Sequence, residues 1–146
     1  MSTIDPRLGT WKLDVAKSRF SAAWLAVMKQ AAPKETTVLF RELGTDEFEM
    51  TITGALTDGK PIAVKNTFPR QGGAVKIQEG ALPGGMTVVS TRIDPNNSYA
   101  TYMLNGKQVF VGQSVISKNG NSMRITTRGM DAQGKPFEQL AVFAKQ

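Results

Sequence analysis

From residue 44 onward the chain is broken by glycine or asparagine turns at short, similar intervals, and this punctuation constrains the fold more than any other feature. The clusters are LGTD around Gly44, TDGK around Gly59, RQGG around Gly72, PGG around Gly84, DPNN around Asn96, LNGK around Gly106, KNGN around Gly120 and AQGK around Gly134. Glycine and asparagine tolerate the positive φ of tight hairpins, so each cluster reads as a reversal between strands. Eight reversals predict nine strands, from TTVLFREL, which starts at Thr36, to PFEQLAVFA, which starts at Pro136. The segments are rich in Val, Ile, Thr, Phe and Tyr, and several alternate cleanly, as in Phe48, Met50 and Ile52 against Glu47, Glu49 and Thr51. GTWKLD, residues 9–14, adds a tenth strand. Sequential antiparallel strands on tight turns predict an all-β fold, a ten-stranded up-and-down barrel, closed because closure removes exposed edges. A barrel of that strand number is wide enough to enclose a cavity.

A weak internal repeat agrees with a meander. Residues 41–62 align without gaps on 116–137, matching at Thr51/Thr126, Gly54/Gly129, Gly59/Gly134, Lys60/Lys135 and Pro61/Pro136. Duplication and convergent turn chemistry explain it equally well.

With 146 residues, 40% of them apolar, a single domain over residues 1–146 is expected. The chain has no cysteine and no histidine, which excludes disulfides, zinc sites built on those residues, cysteine nucleophiles and histidine bases. No metal or cofactor is expected. The net charge of +6 is scattered through turns instead of forming a run. Oligonucleotide-binding barrels usually have five strands and aromatic stacking platforms beside basic residues, so no nucleic acid is expected as a partner. MSTIDPRLGT lacks a basic segment followed by an apolar one, and no stretch approaches the roughly 20 apolar residues of a spanning helix. The expected location is the cytoplasm.

One stretch departs from the strand pattern. In RFSAAWLAVMKQAAPKE, residues 19–35, Phe20, Trp24, Met28 and Ala31 recur at helical spacing and make one apolar face. Ser18 or Ser21 is placed to cap the start, and Pro33 stops continuation, which predicts a helix over about residues 20–32. Between the first two strands it would be either a lid over the cavity or a plug on the rim. Leu25 and Val27 leave the opposite face partly apolar, which suits a membrane surface or a second copy of the chain.

The opening strand reads Leu8-Gly9-Thr10-Trp11-Lys12-Leu13. A G-x-W here, ahead of a barrel, resembles the calycin superfamily of lipocalins and fatty-acid-binding proteins, and GTWKL is particularly similar to the start of the latter. The longer GTWKLDVAKSRF, with the ending GKPFEQLAVFAKQ, resembles small bacterial lipocalin-like proteins. The resemblance implies ten strands, a helical lid between the first and second, and Trp11 as a plug of the closed end rather than a site residue. It also implies a ligand carboxylate held by an Arg-x-Tyr pair on the last strand. The matching place reads Ala141-Val142-Phe143, so both polar anchors are missing.

If Ala141 and Phe143 face inward as the resemblance implies, alternation turns Phe137 and Gln139 inward too. Parity elsewhere groups Phe48, Met50 and Ile52; Ile62, Val64, Asn66 and Phe68; Met123, Ile125 and Thr127; and Val109, Val111, Gln113 and Val115. Tyr99 and Tyr102 lie on opposite faces of one strand, so one of them points inward. Arg92 and Arg128 lie in strands instead of turns; inward they would bind a carboxylate or enolate, outward they would solubilise the wall. The candidate ligand contacts are therefore Trp24, Met28, Met50, Asn66, Phe68, Arg92, Tyr102, Gln113, Gln139 and Phe143. Such a lining suits a small, largely hydrophobic molecule. The alternative is an enzyme that cyclises or isomerises a hydrophobic substrate inside the barrel, for which Asp46, Glu47, Glu49 and Glu79 are the available carboxylates.

Overall fold

The computed structural model describes residues 5–80, 82–131 and 133–146. Residues 1–4, part of the single domain expected over the chain, lie outside the described residues. The strands run β1 Gly9–Leu13, β2 Pro33–Leu43, β3 Glu47–Leu56, β4 Pro61–Pro69, β5 Gly72–Ala74, β6 Lys76–Glu79, β7 Met86–Asp94, β8 Asn97–Leu104, β9 Lys107–Ile116, β10 Ser122–Met130 and β11 Pro136–Lys145. All pairings are antiparallel, and the order around the sheet is β5-β7-β8-β9-β10-β11-β1-β2-β3-β4-β6. This is a nearly closed up-and-down barrel.

Eleven strands appear instead of ten because one expected strand is divided. Gly72, Gly73 and Ala74 pair with Thr91, Ser90 and Val89 of β7, whereas Lys76, Ile77 and Glu79 pair with Thr67, Asn66 and Lys65 of β4. The chain changes neighbours at Val75, whose N–H still donates to the Val88 carbonyl at 3.0 Å. Glycine permits the approach: a Cβ on Gly73 would meet Pro69 at 2.9 Å, and one on Gly72 the Ser90 carbonyl oxygen at 2.9 Å.

The two copies of the internal repeat fold alike at their turns. Leu56 N–H donates to the Lys60 carbonyl and Gly59 N–H to the Leu56 carbonyl; Asp131 and Lys135, Gly134 and Asp131 repeat both bonds. The Gly-Lys-Pro signal therefore encodes one turn used twice.

The helix is shorter than expected. α1 covers Ala22–Met28, capped by the Ser21 hydroxyl, which accepts from the Ala23 N–H at 3.2 Å. Ser18 instead donates to the Asp14 carbonyl and accepts from Val142 N–H, fastening the chain to β11. Lys29 ends the helix in the left-handed conformation, φ 54°, with Lys29 N–H bonded to the Ala26 carbonyl and Gln30 N–H to the Leu25 carbonyl. Residues 29–32 are then needed to carry the chain across to β2, where Thr57 N–H holds the Ala32 carbonyl.

Because strands alternate in direction, the turns fall into two groups. One end carries α1 and the turns at Gly59, Gly84, Gly106 and Gly134. The opposite end carries the N-terminal segment and the turns at Gly44, Arg70 and Asn96; there Arg70 N–H donates to the Asp46 carbonyl at 2.7 Å. Trp11 is fully buried toward this second end, its indole N–H donating to the Arg7 carbonyl at 2.9 Å. It packs with Leu13, Val38, Phe40, Phe48, Phe68 and Phe143 in the principal core. Phe68 meets Phe40 and Phe48 edge to face, with ring centroids 6.3 and 5.8 Å apart.

Candidate functional site

The barrel encloses a cavity of about 370 Å³. Its wall comes mainly from one parity of each strand, as the pleat of a sheet leads one to expect. β3 contributes Met50 and Ile52, β4 contributes Ile62, Val64, Asn66 and Phe68, β10 contributes Met123, Ile125 and Thr127, and β11 contributes Gln139, Ala141 and Phe143. Trp24 and Met28 of α1 reach it, together with Phe20, whose ring lies 6.4 Å from that of Trp24. Leu25 and Val27 are half-buried and lie off the cavity. Trp11 does not line it.

Nine of the ten residues selected from sequence therefore border one space: Trp24, Met28, Met50, Asn66, Phe68, Arg92, Tyr102, Gln139 and Phe143. Gln113 does not. On β9 the inward positions are Phe110, Gly112, Ser114 and Ile116, so Val109, Val111, Gln113 and Val115 form the outer face, with Gln113 opposite Tyr99 and Thr126. Both faces of β9 carry apolar residues, and the valines follow strand preference rather than burial. Hydrophobic alternation consequently pointed the wrong way.

Tyr102 is the inward tyrosine. It sits opposite Val88 and Phe110, its ring 4.5 Å from that of Phe110, and burial pushes its phenol above the ordinary value. Tyr99 has the other parity, opposite Thr91 and Gln113, although it too borders the cavity. Gln139 is buried, and its Oε1 accepts from Ser21 N–H at 3.2 Å, so it also anchors the start of α1.

The two strand arginines divide. Arg128 is exposed and donates to Glu138 at 2.8 Å on the outer wall. Arg92 turns inward, its side chain only 8% exposed, and places Nη1 2.7 Å from Asp5 Oδ2. Around Asp5 two further arginines gather. Arg7 Nε lies 3.6 Å from Oδ1, and Arg70 Nη1 lies 3.6 Å from Oδ2. Arg7 Nη2 also donates to the Arg70 carbonyl at 3.1 Å. The Arg7 guanidinium stacks 4.5 Å from the Phe48 ring centroid and 5.5 Å from that of Phe68. Arg70 is shared with the more exposed Glu42, at 2.9 Å.

Charge at this end is unevenly compensated. Burial by itself would raise the Asp5 carboxyl, but the hydrogen bonds from Arg92 and from Arg7 N–H, with both positive charges, hold it below the usual carboxylate range. Burial, reinforced by the nearby Arg92 charge, lowers Arg7 to about 10 despite the opposing pull of Asp5. Among the described residues three buried side-chain polar atoms have no hydrogen-bond partner: Arg7 Nε, Thr36 Oγ1 and Asn66 Oδ1. All three belong to residues that line the cavity.

Sequence reasoning missed Asp5, Arg7 and Arg70. A local signal existed for the first two: in Asp5-Pro6-Arg7 the carboxylate accepts from the N–H two residues on, at 3.0 Å, an aspartate turn that fixes Arg7 just ahead of β1. Nothing local connects Arg7 to Arg70, which are 63 residues apart.

No protein-family model and no curated protein matches the chain. Solved structures do. A variant of the fluorescent protein UnaG superposes with a TM-score of 0.67 at 14% identity, covering 99% of each chain. Wild-type UnaG gives a TM-score of 0.61 at 14% identity, over 95% of this chain and 96% of the other. The shared fold is the calycin-like, fatty-acid-binding-protein-like barrel.

Proposed function

We propose that this calycin-like barrel binds a small, largely hydrophobic molecule in its interior, as a carrier or sensor. One observation carries the reading: a cavity of about 370 Å³ whose wall is mostly aliphatic and aromatic and is interrupted by a few buried polar groups. Side chains fill some smaller barrels completely; here they leave room for a guest, and Trp24 and Met28 of α1, with Phe20 just before it, border that space. Location in the cytoplasm belongs to the same proposal; among the described residues no helix is long and apolar enough to cross a membrane.

Native mass spectrometry of freshly purified protein, with solvent extraction of whatever it carries, tests the reading. A retained small molecule, or uptake of a neutral apolar dye with a fluorescence rise, is the expected result. A barrel that takes up neither, at any dye concentration below its solubility limit, removes it.

Turnover inside the barrel gains no comparable support, because none of Asp46, Glu47, Glu49 and Glu79 borders the cavity. Glu49 is instead bonded to Arg41 and Glu79 pairs with Lys65 on the outside. Incubation with a recovered ligand separates the readings, since a binder returns it unchanged. Docking of a membrane surface or a second copy rests on Leu25 and Val27 at the outer side of α1. Leu25→Asp is then expected to weaken liposome binding or dimerisation while ligand affinity is kept.

A further inference from the structure

The outer wall of the barrel is not uniform. Where β7, β8 and β9 lie side by side, outward positions form two rows, Val89-Thr101-Val111 and Thr91-Tyr99-Gln113, and none of these side chains is charged. β5 extends the rows with only Ala74 and Gly72. On the wall made by β2, β3 and β4 the outward positions include Arg41, Glu49 and Lys65, the first two ion-paired at 2.6 Å. Strand preference explains valine and threonine on an outer face, but not the absence of charge there. Val89 is 41% exposed, Val115 37%, and Ile93, in the bulge that ends β7, 60%. A chain of net charge +6 approaches a second copy of itself most easily across a face that carries none of that charge.

Charges do stand at the two flanks of this face, and they are opposite in sign. The row nearest the arginine end runs Asp94-Asn97-Val115-Arg124. Asp94 is exposed, and its carboxylate accepts from neutral donors, Asn96 N–H at 2.8 Å and Asn97 Nδ2 at 2.8 and 2.9 Å. Arg124 is exposed too, and among the described residues it has no ion-pair partner. A two-fold axis along the strands, between β8 and β9, brings these flanks together. It sets β8 over the partner's β9 and β7 over the partner's β10. Thr101 then meets the partner's Val111, Tyr99 the partner's Gln113, and Asp94 the partner's Arg124, each contact made twice. An axis across the strands would instead stack β10 on β10, with Arg124 and Arg128 against like charges. Barrel walls are convex, so the short side chains of β8 and β9 touch first. The flanking strands stand farther apart, a span suited to the long arm of an arginine.

We propose that this wall is the interface of a weak, symmetric dimer of the chain. It engages about ten side chains a side, against about 20–30 in a standard interface, so the dissociation constant is expected on the order of 100 µM. The face lies outside the cavity, and α1 is held at β11 through Gln139, so the inference is independent of the ligand reading.

Sedimentation equilibrium of the full chain from about 10 µM to about 1 mM tests it. The wild type is expected to pass from monomer to dimer over that range. Val111→Lys should keep the chain monomeric throughout, with an unchanged urea midpoint as the check on its fold. Arg124→Asp should raise the dissociation constant about tenfold by setting like charges together twice. Adding Asp94→Arg should restore it to within about threefold of wild type. A wild type that stays monomeric to about 1 mM overturns the dimer. A dimer that survives Val111→Lys overturns this interface, and its loss on Leu25→Asp would put the contact on α1 instead. Failure of the double variant to recover overturns the two-fold pairing.

Discussion

The two ends of the barrel are built on opposite principles. At the arginine end a charged cluster is sealed inside: Asp5 collects three guanidinium groups, two of them stacked on Phe48, and Trp11 closes the packing behind them. At the helix end the closing element is two turns long, none of its residues is fully buried, and Gln139 supplies a single side-chain bond to the Ser21 N–H at its start. Removing a helix residue therefore exposes little that was hidden, while removing an arginine-end residue leaves either a cavity or an unpaired charge. One end is made to hold still and the other to give way.

The largest expected effect lies at the sealed end. Trp11→Ala should destabilise the fold by about 3–5 kcal/mol in urea unfolding, the range for a large aromatic removed from a packed core. Trp24→Ala, the same substitution on the lid, should cost no more than about 1 kcal/mol, because its ring is only half-buried. Equal costs would break the contrast, since α1 would then be core rather than cover.

Asp5→Asn comes next, at about 3 kcal/mol, because it strands two buried cations. This loss depends on pH in one direction. The folded carboxyl titrates below its unfolded value near ~3.9, so its contribution is fully present above that value and fades as pH falls through the lower folded one. The stability difference between Asp5→Asn and wild type should accordingly shrink in acid. A difference that stays constant from neutral pH to below about 3 would show that the aspartate acts by shape and not by charge.

Ser21→Ala removes the cap of α1 and should cost about 1 kcal/mol of helix stability. Amide hydrogen exchange reads it directly, with the α1 amides exchanging faster while those of β1 and β11 keep wild-type protection. Acceleration spread evenly over both ends would mean that the lid does not open by itself.

Much of this contrast was legible in the sequence for the helix end and little of it for the other. The helix announces itself by a break in periodicity, with Phe20, Trp24 and Met28 at helical spacing and Ser21 placed to cap it; these are local signals, and all three apolar residues border the cavity. Its length was overstated because Lys29, not Pro33, ends it, and a lysine in the left-handed conformation carries no sequence mark. The turns at glycine located nearly every strand. The arginine cluster is non-local, joining residues 5, 7, 70 and 92 through the closure of the sheet, so no window of sequence contains it. Gln113 failed for a different reason: the outer face of β9 is as apolar in composition as its inner face, and parity needs one face to be distinct. Where the resemblance implies an Arg-x-Tyr pair the chain has Ala141 and Phe143, both of which border the cavity, and the inward arginine of this barrel is Arg92 on another strand.

The divided strand gives the ring an unusual topology. Its first half belongs to one border of the sheet and its second half to the other, so the ends of an otherwise linear ribbon are joined through the backbone at Val75. Cleaving the peptide bond between Val75 and Lys76 would leave every named strand pair intact and would not open the ring, because residues 70–71 still carry β4 into β5 beside β7. The two borders are thus tied twice, by the turn at Arg70 and by the crossing at Val75, and covalent bonds as well as hydrogen bonds limit the width of the interior.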